Sequence, residues 1–142
     1  MSTIRSDFLN NRYNHHNRRK YSLKAHIVLV TKYRKQILKE NIAKDVKTKI
    51  NIISKSYGYK IITMETDKDR IHILLEYNTT DRICDIIKII KQQTTYFLWQ
   101  KYHNFLSQYY WKKKLFWSDG YFACSIGEVS ETTIQKYIEN QG

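Results

Sequence analysis

The stretch YKIITMETDKDRIHILLEY, residues 59–77, decides the fold. It holds two runs rich in β-branched and apolar residues, Tyr59 to Thr66 and Ile71 to Tyr77, broken by the polar Asp67-Lys68-Asp69-Arg70. That pattern predicts a β-hairpin. Towards the N-terminus, Ile42, Val46, Ile50 and Ile53 recur at helical spacing, with Lys44, Lys47, Lys49 and Lys55 on the remaining faces and Gly58 to end the helix. Ahead of it the run KAHIVLVT, Lys24 to Thr31, has the length and β-branched content of a buried strand. Towards the C-terminus, Thr80 or Asp81 is placed to cap a second helix. Ile83, Ile86, Ile87 and Ile90 form its apolar stripe, and it continues through Phe97 and Leu98 towards Tyr102. An aromatic and basic linker follows, then a turn at Trp117-Ser118-Asp119-Gly120 and a fourth strand from Tyr121 to Ile126. Ser130 is placed to cap a short terminal helix with Ile134 and Ile138 on its inner face. The order β-α-β-β-α-β predicts an α+β, ferredoxin-like fold: an antiparallel four-stranded sheet with two backing helices, plus a C-terminal helix. Many functions share this fold, so it selects none of them.

A chain of 142 residues supports one domain with a real core. Residues 1–20, rich in Asn, Arg and His without apolar periodicity, read as a flexible basic arm, and residues 21–142 as the domain. The adjacent His15 and His16 in that arm read as solvated surface rather than a metal site. Lys and Arg number 25 against 13 Asp and Glu, a net charge of +12, which calls for a polyanionic partner. Nucleic acid fits better than membrane. No helix pairs a uniformly basic face with a Trp- and Leu-rich one, and the apolar runs are about four residues long, as at Ile27 to Val30. The first residues lack the apolar core of a secretory signal, so a cytoplasmic location is expected. Cys84 and Cys124 are far apart in sequence and are expected to be buried, reduced thiols. Twelve tyrosines among Lys and Arg suit base stacking combined with phosphate neutralisation, although many of these rings must build the core.

Two segments carry candidate chemistry. Tyr137 and Gln141 lie at i, i+4 on the terminal helix, on a different side from Ile134 and Ile138, which leaves a phenol outside the core beside an amide carbonyl. Arg70 and His72 alternate with Ile71, so both side chains leave the same face of the third strand. Each feature alone has an ordinary structural explanation, as a surface tyrosine or a hydrogen-bonded strand histidine.

Three segments together resemble the small single-tyrosine transposases (TnpA type) of minimal bacterial insertion sequences, members of the HUH endonuclease superfamily. They are Thr-Asp-Lys-Asp-Arg-Ile-His-Ile-Leu (residues 66–74), Ala-His-Ile-Val-Leu-Val-Thr-Lys-Tyr-Arg (25–34) and Lys-Tyr-Ile-Glu-Asn-Gln (136–141). The likeness runs from about Lys24 to Gln141 in the family's order and spacing. It implies a protein that recognises hairpins in single-stranded DNA, cleaves near them and holds the 5′ phosphate as a phosphotyrosine. Tyr137 would be the nucleophile, His72 and Gln141 ligands of a divalent ion, Mg²⁺ or Mn²⁺, and the assembly a homodimer. The chain departs from the family where the first histidine is expected, because Arg70 stands there and a guanidinium offers no lone pair. Three explanations are open. Asp69, Asp67 or Glu65 supplies an oxygen ligand instead; Arg70 itself clamps phosphate; or the copy is catalytically impaired and persists as a hairpin-binding protein. Lys32, Arg34, Lys35, Lys112, Lys113 and Lys114 are candidates to grip phosphates, with Tyr33, Trp111 and Trp117 for unpaired bases. An RNA-binding ferredoxin-like module is disfavoured, because none of the four glycines sits in its strand signature.

Overall fold

The structure, a computed structural model, describes residues 22–126. The basic arm, Ser130, Tyr137 and Gln141, and with them the expected C-terminal helix, lie outside the described residues. Strand β1 (Ser22–Val30) leads through a short 3₁₀ turn, Lys32–Arg34, to helix α1 (Glu40–Tyr57). Strands β2 (Lys60–Asp67) and β3 (Arg70–Asn78) form the hairpin. Helix α2 (Ile83–Lys101), a short helix α3 (His103–Ser107) and strand β4 (Phe122–Ser125) complete the order. The strands lie in the order β2-β3-β1-β4 and every pairing is antiparallel, which is the ferredoxin-like arrangement.

The alternation of β3 is complete: Ile71, Ile73, Leu75 and Tyr77 are buried, while Arg70, His72, Leu74 and Glu76 are partly exposed. β1 matches it, with Ala25, Ile27 and Leu29 buried on the same side. Ile42, Val46, Ile50 and Ile53 of α1, and Ile86, Ile87 and Ile90 of α2, close over that side as one core. Gly58 ends α1 at φ 85°, a left-handed conformation that a side chain would oppose. The other face of the sheet is not covered by these helices. There Val28 forms a separate small cluster with Val30, Phe122 and Cys124.

Several details differ from the sequence reading. The hairpin is tighter than expected: Asp67 pairs with Arg70, so only Lys68 and Asp69 remain in the turn. Neither Thr80 nor Asp81 caps α2, because the chain enters the helix at Arg82, and the Asp81 carboxylate instead accepts from the backbone N–H of Asn78. Neither cysteine is in a disulfide, but Cys84 is exposed rather than buried, since it lies on the outer side of α2 away from the isoleucine stripe. Among the described residues no helix is long and apolar enough to cross a membrane.

Candidate nucleic-acid interface and active face

His72 and Arg70 leave β3 on the face opposite the helices, as their spacing requires. Glu65 of β2 and Val28 of β1 stand opposite His72 in register. His72 Nδ1 lies 3.4 Å from Nε2 of His26, which projects from β1 on the same face. Burial holds the His72 imidazole below the usual histidine range, helped by His26 and Arg70 and opposed by Glu65 and Asp67. At neutral pH the ring is therefore uncharged and has a lone pair.

Asp69 is organised differently from a metal ligand. One carboxylate oxygen accepts from Nε of Arg70 at 2.9 Å and the other from Nε of Arg34 at 3.0 Å, and Nη2 of Arg70 adds a longer contact of 3.4 Å. Burial pushes this carboxyl upwards, but the two guanidiniums outweigh it and the net displacement is downwards. Asp69 is only 9% exposed, so the aspartate ties together two arginines that are far apart in sequence. Arg34 and Arg70 then line a cavity of about 210 Å³ with Tyr33, Tyr121 and Phe122. Two fixed guanidiniums beside aromatic rings are a chemically apt seat for a phosphate and its neighbouring base.

The loop that carries Arg34 is locked to the hairpin turn. Thr31, fully buried, donates its backbone N–H to the Asp69 carbonyl at 2.9 Å and its hydroxyl to the Lys35 carbonyl at 2.7 Å. Tyr33 and Arg34 both have positive φ, 60° and 53°, which non-glycine residues rarely adopt in succession. This kink leaves the Tyr33 ring 68% exposed.

The sequence-distant basic segments converge next to it. Lys32 receives the Tyr110 hydroxyl on its carbonyl at 2.8 Å and donates its own N–H to Phe116 at 2.8 Å, so residues 110–117 run alongside the end of β1. Burial holds the Tyr110 phenol protonated far above its usual range. An open depression of about 500 Å³ results, lined by Lys32, Tyr33, Tyr110, Trp111, Lys112 and Lys113 among others. Trp111 is 74% exposed at its edge. Lys114 instead faces a second depression beside α2 together with Lys88 and Trp99. Lys35 contributes its carbonyl to Thr31. Trp117 is not available to bases: it is 6% exposed, and its indole N–H bonds the Thr94 hydroxyl inside the core.

Sequence reasoning missed three residues here. His26 sits inside the motif-like run of β1, but its proximity to His72 depends on strand register. Lys91 gives its ammonium to the carbonyls of Ser118, Asp119 and Gly120 at 2.8–3.2 Å and so holds the turn before β4. Its surroundings, burial above all, lower its pKa, with Asp119 opposing. Tyr110 looked like one more aromatic in the linker and had no local signal.

A family signature spans most of the chain. A model of the family described as transposase, IS200 like, matches residues 19–141. The chain belongs to the IS200-like transposases. The ISDra2 transposase TnpA of Deinococcus radiodurans is 31% identical over 121 residues, which cover 85% of both chains. The transposase for insertion sequence element IS200 of Salmonella typhimurium is 25% identical, covering 86% of this chain and 78% of that protein. A crystal structure assigned as a transposase of Deinococcus radiodurans superposes with a TM-score of 0.77 at 26% identity, covering 99% of this chain and 98% of the other. A tyrosine transposase bound to a REP hairpin shares the fold, with a TM-score of 0.55 at 13% identity, covering 99% of this chain and 68% of that one.

The donor set for a divalent ion can be tested against this IS200-like transposase. Among the described residues no three His, Cys, Asp or Glu side chains gather closely enough to hold a metal. His72, neutral and on the open face, fits as one nitrogen donor. Arg70 does not fit, and both Asp69 oxygens are taken by arginines.

Proposed function

We propose that this IS200-like transposase cleaves and rejoins single-stranded DNA at the ends of its element through a 5′-phosphotyrosine on Tyr137. The observation that best supports this reading is that Arg34, from the turn after β1, is joined through Asp69 to Arg70, which shares a face of β3 with His72. In the cleavage step the Tyr137 oxygen bonds to phosphorus while the P–O3′ bond breaks, and the departing 3′ oxygen takes up a proton. Rejoining runs the step backwards with an incoming 3′-OH. Arg34 and Arg70 hold the phosphate and offset charge on its oxygens. His72, with Gln141, is the proposed holder of Mg²⁺ or Mn²⁺, which when bound would polarise the phosphate and ease departure of the 3′ oxygen.

The depression between Lys32 and Trp111 is proposed to grip single-stranded DNA next to the hairpin by combining ammonium groups with exposed rings. A hairpin is the ligand of the REP-hairpin-bound structural relative, and the same class of ligand is proposed here. A homodimer is part of the proposal.

Incubating the protein with single-stranded DNA bearing the element's ends and Mn²⁺ or Mg²⁺ is expected to yield a denaturant-resistant protein–DNA adduct. Tyr137→Phe is expected to abolish it. Tight hairpin binding by wild type with no adduct under either ion would leave a DNA-binding protein without strand transfer, the reading to which Arg70 lends support.

A further inference from the structure

Tyr33 belongs to two depressions at once. It lines the cavity of about 210 Å³ with Arg34 and Arg70, and also the open depression of about 500 Å³ with Lys32 and Trp111. Its sequence neighbours are divided between the two, Arg34 lining the first and Lys32 the second. The turn before β4 is divided in the same way, with Ser118 and Gly120 on the arginine side and Asp119 on the other. Lys32 Nζ and a carboxylate oxygen of Asp119, 3.2 Å apart, join the two loops at this boundary. A ring that is shared by both hollows and is 68% exposed stands as a crest between them.

The crest is held in place. Tyr33 (φ 60°, ψ 18°) and Arg34 (φ 53°) are both left-handed, a conformation that side chains oppose and that persists only where the surroundings fix it. Here they do. The Thr31 hydroxyl donates to the Lys35 carbonyl at 2.7 Å, the Tyr110 hydroxyl to the Lys32 carbonyl at 2.8 Å, and Arg34 Nε to Asp69 at 3.0 Å, so the turn is tied down on both sides of Tyr33. Lys32 Nζ lies 5.4 Å from the centroid of the Tyr33 ring, and the Tyr110 ring lies 6.3 Å away at 37°. A ring already ordered in this way loses little freedom when a base stacks on it.

We propose that Tyr33 parts two successive bases of single-stranded DNA, so that the phosphate of that step lies against Arg34 and Arg70 while the next base passes into the depression of Lys32 and Trp111. This rests on the reading of the two arginines as a phosphate seat. A strand crossing from one basic hollow to the other must pass the ring, and base–aromatic stacking offsets the base–base stacking that is lost, whatever the base. Opening one step fixes the register of the strand, so that one phosphate rather than its neighbours meets the arginines.

The test uses the full chain and a short single-stranded oligomer made wholly of 2-aminopurine nucleotides, whose fluorescence is quenched while its bases stack and rises when a step is opened. Every step is alike, so register along the oligomer does not matter. At saturating protein, wild type is expected to raise the fluorescence. Tyr33→Gly removes the ring but suits the left-handed backbone, so Tm is expected at or above the wild-type value, while binding weakens about 10-fold and the rise disappears. Tyr33→Phe, which keeps a stacking ring, is expected to keep the rise and to stay within about 2-fold of wild-type affinity. Binding by wild type without a rise overturns the proposal, and so does a rise that survives in Tyr33→Gly. The phosphate seat is judged separately. If Arg34→Gln leaves both affinity and its salt dependence unchanged, that seat falls, while the rise and its loss in Tyr33→Gly still decide whether the ring parts the bases. Failure of wild type to bind the oligomer at all overturns both.

Discussion

The two faces of β1 and β3 are made from alternate residues of the same strands, yet they follow different rules. On the helix side, Ala25, Ile27, Leu29, Ile71, Ile73 and Leu75 are all fully buried apolar groups. On the other side, His26, Arg70, His72 and Glu76 lie among Val28, Val30 and Leu74, and none of the four polar groups is fully buried. The first face gains free energy in proportion to the area it hides. The second arranges hydrogen-bonding groups on a backbone that the first keeps rigid, and this division lets chemistry change without loss of the fold. Arg70 illustrates it: a residue that alters the proposed metal chemistry is accommodated by one aspartate and leaves the neighbouring core position Ile71 at 0% exposure.

Substitution of neighbouring residues on opposite faces should separate the two roles most clearly. Ile73→Ala empties a fully buried site and is expected to cost about 3 kcal/mol, lowering Tm by roughly 10 °C, whereas His72→Ala should cost less than about 1 kcal/mol and abolish adduct formation. Urea and thermal unfolding check the first part, and the DNA adduct assay the second. A large stability loss for His72→Ala would break the division.

Asp69 tests the boundary between the faces, because it joins Arg34 and Arg70 to the folded turn. Asp69→Asn is expected to lose on the order of 2 kcal/mol at neutral pH, since it removes the charge that both guanidiniums share. The folded carboxyl pKa lies below its unfolded value, so this stabilisation is full above about pH 4 and disappears as pH falls through the folded pKa. Urea midpoints of wild type and variant should therefore be separated at pH 7 and converge in acid.

The smallest effect is expected at the exposed edge. Trp111→Ala should leave Tm unchanged and weaken binding to unpaired DNA by about 1–2 kcal/mol, measured by fluorescence anisotropy at fixed salt. The same change at Trp117 should instead unfold or destabilise the protein, because its ring is in the core.

Much of the fold was legible because it rests on periodicity. The isoleucine stripes of both helices and the alternation in YKIITMETDKDRIHILLEY state which side of each element is apolar, and burial follows that side directly. The same alternation by itself puts Arg70 and His72 on one face. Helix starts were less legible: Asp81 looks like a cap but bonds backwards to Asn78, a choice made by the turn into α2. The fate of the aromatics was illegible for a similar reason, since Trp111 and Trp117 both follow an aromatic residue in the stretch after α3 but only Trp117 meets Thr94.

The sequence by itself determined the order of elements, the identity of the core, the positive charge and the motif that marks an IS200-like transposase, because each is carried by residues a few positions apart. Tertiary structure alone decided that Asp69 would bind Arg34 and Arg70, that Lys32 and Trp111 would share one depression, and that His26 would touch His72. Those contacts depend on strand register and loop path, which are set by the packing of the whole sheet against its helices and leave no local trace in the chain.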